Sequence, residues 1–400
     1  MVTCYPADIT VEEIMALDKM RGSLVELESF SDGWVLRWLR AHSGSVEETL
    51  PPLGKHLTFR KAWGIDELLT SWKRPQVLER HVGYGFFGPD KDGSPVLLSM
   101  FGNMDVEGML KSVESQDYIK YSLMAIEQGV RMCEEMAKKN NKPFEQMVLV
   151  LDMENMTSAH YNFKTFAASF LTLLAIYQEN YPMLFKKILV VKAPPIARYA
   201  YQMMTPFFYH STQELIDMPN DADYARTVFK FVSPKRWPKC FGGELTDPNG
   251  DPNCPSMLRF GVGPVPRRYY VDLDSVKAQC SEQTTLYPGS KHLLQFDVPK
   301  SNSRICWKYM TADDDVGFAI YYRPERAQQQ QAFRAGDRTK AINDQTDKEV
   351  FPYVRLECSV VPVTGVIVCE QPGTYIVEFD NEYSWFSEKE LHYFIDLVEP

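Results

Sequence analysis

Positive charge is in short supply in this sequence: 43 Lys and Arg stand against 53 Asp and Glu, a formal net charge of −10 with a pI near 5.3. That deficit excludes a general affinity for nucleic acid, whose phosphates require a basic face. It equally excludes purely electrostatic docking on anionic lipid, so any membrane contact depends on apolar insertion or on a local basic patch. No window approaches the ~18 uninterrupted apolar residues of a spanning helix. The opening MVTCYPADIT lacks the charged-then-apolar layout of a secretory leader, and a cytoplasmic protein is expected. The eight cysteines, at 4, 133, 240, 254, 280, 306, 358 and 369, form no C-x-x-C pair and no zinc spacing, which predicts reduced thiols and no metal. There is no G-x-S-x-G elbow, H-E-x-x-H or P-loop lysine. The Asp-rich stretches at 90–92, 247–251 and 313–315 lack the calcium-loop pattern. The sequence therefore predicts neither an enzyme nor a cofactor site.

What is present is globular: 44% apolar and 24% charged residues over 400 positions, more than one ordinary core accommodates. Val11, Ile14, Leu17, Leu24 and Leu27 predict an amphipathic helix over 11–29, and a second is expected at 33–42. Ser45-Val46-Glu47-Glu48 has the form that caps a helix start, yet Pro51-Pro52 predicts a break or restart within two turns. Leu57, Trp63, Ile65 and Leu68 continue a mainly helical surface to about 72. From residue 80 short apolar runs at 96–101, 147–151 and 188–191 alternate with helices near 116–138 and 164–180, the mark of a mainly parallel sheet with helices packed on it. The Gly- and Pro-rich stretch around 242–266 reads as a linker. Beyond it, strands are expected at 291–298, 304–310, 316–322, 354–361, 373–380 and 391–398, separated by turns such as Pro288-Gly289 and Pro372-Gly373, which fits a β-sandwich. Residues 323–349 read as a long exposed loop. The expected organisation is thus a helical subdomain over 1–75, an α/β domain over 76–245, a linker over 246–268 and an all-β domain over 269–400.

Gly83-Tyr84-Gly85-Phe86-Phe87-Gly88 matches the dinucleotide fingerprint letter for letter. The context denies it, because a turn and a strand follow where a phosphate-binding helix N-terminus is required. Asp152 and Glu154, just after the strand at 147–151, are read as hydrogen-bonding or capping groups, with no base or nucleophile visibly paired to them. His160 is read two ways, as a polar tip in a cavity or as a satisfied core histidine. The sequon Asn155-Met156-Thr157 falls inside the expected fold, so glycosylation is not expected. More informative is the density of aromatic and Met residues at Phe166, Phe170, Tyr177, Tyr199, Tyr201, Met203, Met204, Phe207 and Phe208. Helical spacing alone favours an ordinary core, whereas Met and aromatics also suit an adaptable apolar pocket.

Four motifs decide between them. Leu36-Arg37-Trp38-Leu39-Arg40-Ala41, Phe59-Arg60-Lys61-Ala62-Trp63-Gly64-Ile65-Asp66, Glu179-Asn180-Tyr181-Pro182 and Val190-Val191-Lys192-Ala193-Pro194, with Phe241-Gly242-Gly243 closing the domain, resemble the CRAL-TRIO lipid-binding proteins. Asp315-Val316-Gly317-Phe318, Pro372-Gly373-Thr374-Tyr375 and Phe379-Asp380-Asn381-Glu382-Tyr383-Ser384 resemble a GOLD β-sandwich. The resemblance implies an α/β CRAL-TRIO fold preceded by a small helical subdomain and followed by the GOLD sandwich. It also implies a hydrophobic lipid held in a covered pocket beneath a gate at about 195–216, a transient membrane contact and a protein partner for the GOLD domain, on the Golgi or other secretory-pathway membranes. The side chains then expected at the ligand are Leu98, Phe101, Leu110 and Met124 from the first half of the domain and Leu151, Met153 and His160 around its second strand. Phe170, Leu173 and Tyr177 are expected from the following helix, and Tyr201, Met204, Phe207 and Phe208 from the gate. Where phosphatidylinositol-transfer members carry charged headgroup ligands, the matching positions here are His42, Met183, Leu184 and Leu215. Three lack charge, and a phosphate buried without a positive partner is expensive, which favours a less polar ligand. The competing function is a scaffold or cargo adaptor in secretory-membrane traffic that senses lipid without transferring it. Lys235-Arg236-Trp237 with Lys239, and Arg267-Arg268-Tyr269-Tyr270, are the candidate basic-aromatic membrane contacts.

Overall fold

A computed structural model describes residues 8–158, 160, 164–219, 224–324, 342–343 and 346–400, with the side chains of 164–166 outside that description. Thr10 begins α1 (Val11–Ser23) with a complete capping box, its hydroxyl accepting from the Glu13 amide while the Glu13 carboxylate accepts from the Thr10 amide. The helix expected over 11–29 is divided: the chain turns extended at Leu24 and makes a 3₁₀ turn over Val25–Ser29. Ser31 and Ser45 cap α2 (Asp32–Ala41) and α3 (Val46–Trp63), each such cap contributing about 1 kcal/mol over alanine.

Pro51 and Pro52 do not break α3, contrary to expectation; it runs unbroken through both. Prolines there remove two helical donors, but Thr49, Leu53, His56, Phe59, Arg60 and Trp63 are all buried on the helix face, and this packing offsets the loss. Gly64, left-handed at φ 62°, ends the helix. Ile65 and Leu68 are then buried from turns, not from a continued helix. α4 (Gln76–His81) leads into the sheet.

That sheet has six strands: β1 (Tyr84–Phe87), β2 (Val96–Ser99), β3 (Met147–Asp152), β4 (Phe185–Val191), β5 (Ile216–Asp217) and β6 (Leu258–Arg259), in the order β5-β4-β3-β2-β1-β6. The four strands from β2 to β5 are parallel, and β1 and β6 add antiparallel pairs. The segment expected to be a mere linker therefore supplies the sixth strand. Gly85 permits this, since a Cβ there would lie 2.2 Å from the Met257 carbonyl. The glycine-rich match at 83–88 is β1 itself and is followed by a turn, as its context required. Between the strands lie α5 (Val106–Leu110), α6 (Ser115–Asn140), α7 (Lys164–Asn180), α8 (Pro195–Met204), a 3₁₀ turn at Thr205–Phe207, α9 (His210–Leu215) and α10 (Tyr224–Phe231).

Side-chain alternation gives the sheet two faces. Leu98, Val148, Val150, Leu189 and Val191 pack against Val228, Val232, Trp237 and Phe241. Leu97, Leu149, Leu151, Ile188 and Val190 point to the other side, toward α6 and α7.

After a short helix, α11 (Leu273–Lys277), come eight strands: β7 (Glu282–Leu286), β8 (Lys291–Val298), β9 (Ser303–Thr311), β10 (Asp315–Arg323), β11 (Lys348–Glu357), β12 (Val363–Cys369), β13 (Gly373–Asp380) and β14 (Lys389–Val398). They form two four-stranded antiparallel sheets, β11-β10-β13-β8 and β12-β9-β14-β7. β7 and β12 carry little apolar alternation and were not expected. β11 starts earlier than its apolar run because it is an edge strand, where Pro352 is tolerated next to irregular pairing with β10. The exposed loop expected over 323–349 falls mostly outside the described residues. Its two ends are not exposed: Arg323 and Asp347 form a buried ion pair at 2.6 Å.

The two halves are joined by specific contacts. The Glu114 carboxylate, just before α6, accepts from the Thr364 amide and hydroxyl at 2.9 and 2.8 Å, and Ser115 donates to the Glu357 carbonyl at 2.8 Å. Thr172 on α7 donates to the Arg355 carbonyl at 2.7 Å, and Trp63 stacks with Phe351 at 6.3 Å.

Candidate functional site

A cavity of about 1080 Å³ lies between the inner face of the sheet, α6, α7 and the α8–α9 segment. Its floor is the alternate set Leu97, Ser99, Leu149, Leu151, Ile188 and Val190. α6 contributes Tyr118, Tyr121, Ser122, Ala125 and Ile126, one stripe at helical spacing, and α7 contributes Phe170, Leu173, Leu174 and Tyr177 in the same way. Ala197, Ala200, Tyr201 and Met204 of α8, then Phe208 and Leu215, form the remaining wall.

Among the expected ligand residues, Phe101, Leu151, Met153, His160, Phe170, Leu173, Tyr177, Tyr201, Met204 and Phe208 border this cavity. Four do not. Leu98 points through the opposite face of β2, because strand neighbours alternate. Leu110 and Met124 are buried in the core shared with the helical subdomain, Met124 lying off the stripe that α6 turns to the cavity. Phe207 is 54% exposed. Phe166 has its side chain outside the described residues, Tyr199 is half exposed on the outer side of α8, and Met203, also half exposed, borders the cavity.

Apart from His42, sequence reasoning missed the contribution of the helical subdomain. Trp38, Arg40, His42, Pro52, Lys55 and His56 all border the cavity, as do Tyr84, Tyr118, Tyr121 and Gln146. Several polar members are engaged within the protein, whereas the buried Trp38 ring N–H has no hydrogen-bond partner among the described residues. His56 is 1% exposed, ringed by Trp34, Trp38, Phe59 and Tyr181, and its Nδ1 lies 2.9 Å from Asn180 Oδ1. Burial and the nearby Arg60 guanidinium lower its pKa to about 3, so the ring is neutral. Behind it Arg60 donates to Glu127 at 2.9 and 3.3 Å, and Glu127 also accepts from the Tyr181 hydroxyl at 2.8 Å. Arg40 is held by the Glu13 carboxylate at 2.7 and 3.0 Å. The Tyr118 and Tyr177 phenols are pushed up by burial, and that of Tyr121 to about 12, which keeps all three neutral donors.

His42, Met183, Leu184 and Leu215 also border the cavity. The His42 Nδ1–H donates to the Trp38 carbonyl at 2.9 Å. Asp152 and Glu154 do not reach the cavity. Asp152 accepts from the Glu154 amide at 2.9 Å, and Lys192 bridges both carboxylates at 3.2 and 2.6 Å, a structural arrangement as expected. His160 is 8% exposed, and its Nδ1 accepts from the Thr157 amide at 3.3 Å. Among the described residues no His, Cys, Asp and Glu group is spaced to hold a metal, and no helix is long and apolar enough to cross a membrane. Seven cysteines, at 133, 240, 254, 280, 306, 358 and 369, are free thiols.

The α8–α9 wall is pinned at two places. Gln178 on α7 donates to the Phe207 carbonyl at 3.1 Å and accepts from the Tyr209 amide at 2.7 Å. At the base of α8, Arg198 donates to the carbonyls of Met218 and Pro219 at 3.2 and 2.6 Å.

The model of the CRAL/TRIO domain matches residues 79–243, which contain five of the six strands of the sheet, β1 to β5, with α6, α7 and the pinned wall. Protein ctg-1 of Caenorhabditis elegans is 44% identical over 400 residues, the whole of both chains. This chain belongs to the CRAL/TRIO domain family. Membership implies lipid binding or transfer in general. Protein real-time of Aedes aegypti is 26% identical over 383 residues, which cover 91% of this CRAL/TRIO chain and 57% of that protein. The crystal structure of Sfh5 matches 52% of this chain and 80% of its own at 14% identity, with a TM-score of 0.43, too low a likeness to carry an argument. The glycine pair at the end of the CRAL/TRIO match has a steric reason: Gly242 is left-handed at φ 84°, and a Cβ on Gly243 would lie 1.9 Å from the Trp237 carbonyl.

Proposed function

We propose that this chain holds one molecule of a hydrophobic lipid, less polar than a phosphoinositide, under α8 and α9 and transfers or presents it between membranes or to partners. The observation that carries the reading is the cavity: about 1080 Å³, floored by aliphatic strand residues and walled by aromatics, with the Arg40 guanidinium at its rim held by Glu13. A volume at the upper end of small-molecule pockets suits a long chain, and each buried CH₂ contributes about 0.8 kcal/mol toward extraction from a bilayer. The α8–α9 segment serves as the gate. Gln178 is its latch and Arg198 its pivot, because two main-chain bonds to one amide side chain release together. The β-sandwich, which resembles a GOLD module in the domain order of supernatant protein factor (tocopherol-associated protein), acts as adaptor to a protein partner at the cytoplasmic face of Golgi or other secretory-pathway membranes.

The test is transfer of a fluorescent sterol or tocopherol analogue from donor to acceptor vesicles. Wild type accelerates transfer, and Gln178→Ala accelerates release about fivefold further, the equivalent of about 1 kcal/mol for a lost latch bond. Transfer no faster than spontaneous exchange would overturn the carrier reading and leave a lipid-sensing scaffold in its place.

A further inference from the structure

Trp385 and Phe386 are 85% and 93% exposed, the two most exposed large apolar residues described, and they are consecutive at the tip of the β13–β14 loop. Ordinary surface apolar residues are scattered singly and half covered. Tyr287, 62% exposed, stands on the neighbouring β7–β8 loop. The two loops are tied together by Asn381, which is fully buried: its side-chain amide donates to the carbonyls of Leu286, Tyr287 and Ser387 at 3.1, 3.2 and 3.0 Å, and its main-chain carbonyl accepts from the Gly289 amide. Tyr383, two residues before Trp385, lies under the Arg355 guanidinium at 3.6 Å and donates to the Asp315 carbonyl at 2.9 Å. The exposure is thus built into a braced loop that cannot fold the rings inward.

The charge around the tip narrows what can cover it. Of the cations on these loops, Lys291 is engaged by Glu378 and Glu382, and Lys389 is buried against Asp315. Glu382 and Glu388 remain toward solvent. Anionic headgroups, nucleic acid and acidic peptides are therefore repelled, as the net charge of −10 also requires. A convex tip of two rings needs a partner without fixed shape, and indole and phenyl rings partition into the membrane–water interface. The basic-aromatic patch expected at 235–239 does not serve, since Trp237 is 1% exposed and its ring N–H donates to the Phe241 carbonyl.

We propose that Trp385 and Phe386, with Tyr287 beside them, form a wedge that inserts into the interfacial layer of an electrically neutral lipid bilayer. The wedge goes beyond the carrier reading and holds whether or not the cavity is filled. Arg355 fixes its placement relative to the cavity, because the same residue braces Tyr383 with its side chain and accepts from Thr172 of α7 with its carbonyl.

Flotation of the full chain with vesicles of pure phosphatidylcholine tests it. Wild type floats equally at about 0.15 M and about 1 M salt. W385S/F386S lowers partitioning at least about tenfold, or 1.4 kcal/mol, with an unchanged melting temperature, and the exchange of the two rings, W385F/F386W, restores it. Equal flotation of the double variant, flotation only with anionic lipid, or no flotation of wild type would each overturn the wedge. Bound lipid measured on W385S/F386S by native mass spectrometry reports on the cavity separately.

Discussion

The two halves of the chain use aromatic rings in opposite ways. In the sandwich, Trp307, Tyr309, Phe318, Phe351 and Phe379 sit ring against ring at 5.0–5.6 Å, each under 5% exposed, and together fill the space between two sheets. In the CRAL/TRIO half, Phe101, Phe170, Tyr177, Tyr201 and Phe208 face a hollow; Phe101 meets Phe170 edge-on at 6.3 Å, and Tyr201 meets Phe208 tilted at 5.8 Å. A ring that fills a core and a ring that walls a void look alike in composition. They differ in what the opposite side of the ring touches, and therefore in what a substitution costs.

The sharpest way to break this comparison is truncation. Phe318→Ala is expected to cost about 3–5 kcal/mol in urea unfolding, the usual penalty for a void in a packed core. Phe170→Ala already borders empty space and should cost less than half of that; equal losses would mean that both regions are solid. The reverse substitution follows in size. Ala319, fully buried in the sandwich, should lose about 1–3 kcal/mol as Phe. Ala125→Phe projects into the cavity and should stay within about 0.5 kcal/mol of wild type while losing bound lipid.

Acid should separate the halves as well. Below pH ~6.5 the unfolded chain protonates His56 and the folded chain does not, so stability on the cavity side falls by about 1.4 kcal/mol per pH unit toward the folded pKa of about 3. In the sandwich, burial raises Glu357 and Glu378, which has the opposite sign: the folded state keeps its protons longer, and stability falls as pH rises out of the normal carboxylate range. Thermal melts from pH 7 to 5 should therefore lower the CRAL/TRIO transition in wild type and flatten in His56→Gln. The smallest effect is expected at the seam, where Lys61 and Glu370 pair while 67% and 59% exposed. Lys61→Ala should change stability by no more than about 0.5 kcal/mol, which a urea titration would show.

Much of this contrast was legible in the sequence, and the failures have physical causes. Periodicity and flanking turns located β8 and β13 to the residue, and helical spacing located the cores of α6 and α7, although β13 is buried on both faces and not on one alone. It could not show that tertiary packing carries α3 through Pro51 and Pro52, nor that the linker lends Leu258 and Arg259 to the sheet. At the cavity, the error at Leu98 came from treating a continuous apolar strand as one face when it has two. The error at Phe207 came from a segment apolar on both sides, so that the pattern itself did not distinguish the inward Ala197, Tyr201 and Met204 from the outward Tyr199 and Phe207. Trp38, Lys55 and His56 were missed because nothing local in α2 or α3 signals that they reach across to another domain.

Native mass spectrometry of the intact chain, purified from its own cells beside Ala125→Phe, tests the hollow most directly. The account predicts a wild-type mass raised by a single hydrophobic lipid that is absent from the variant, with both chains folded. Bare protein in both samples, or the same adduct on both, would contradict it.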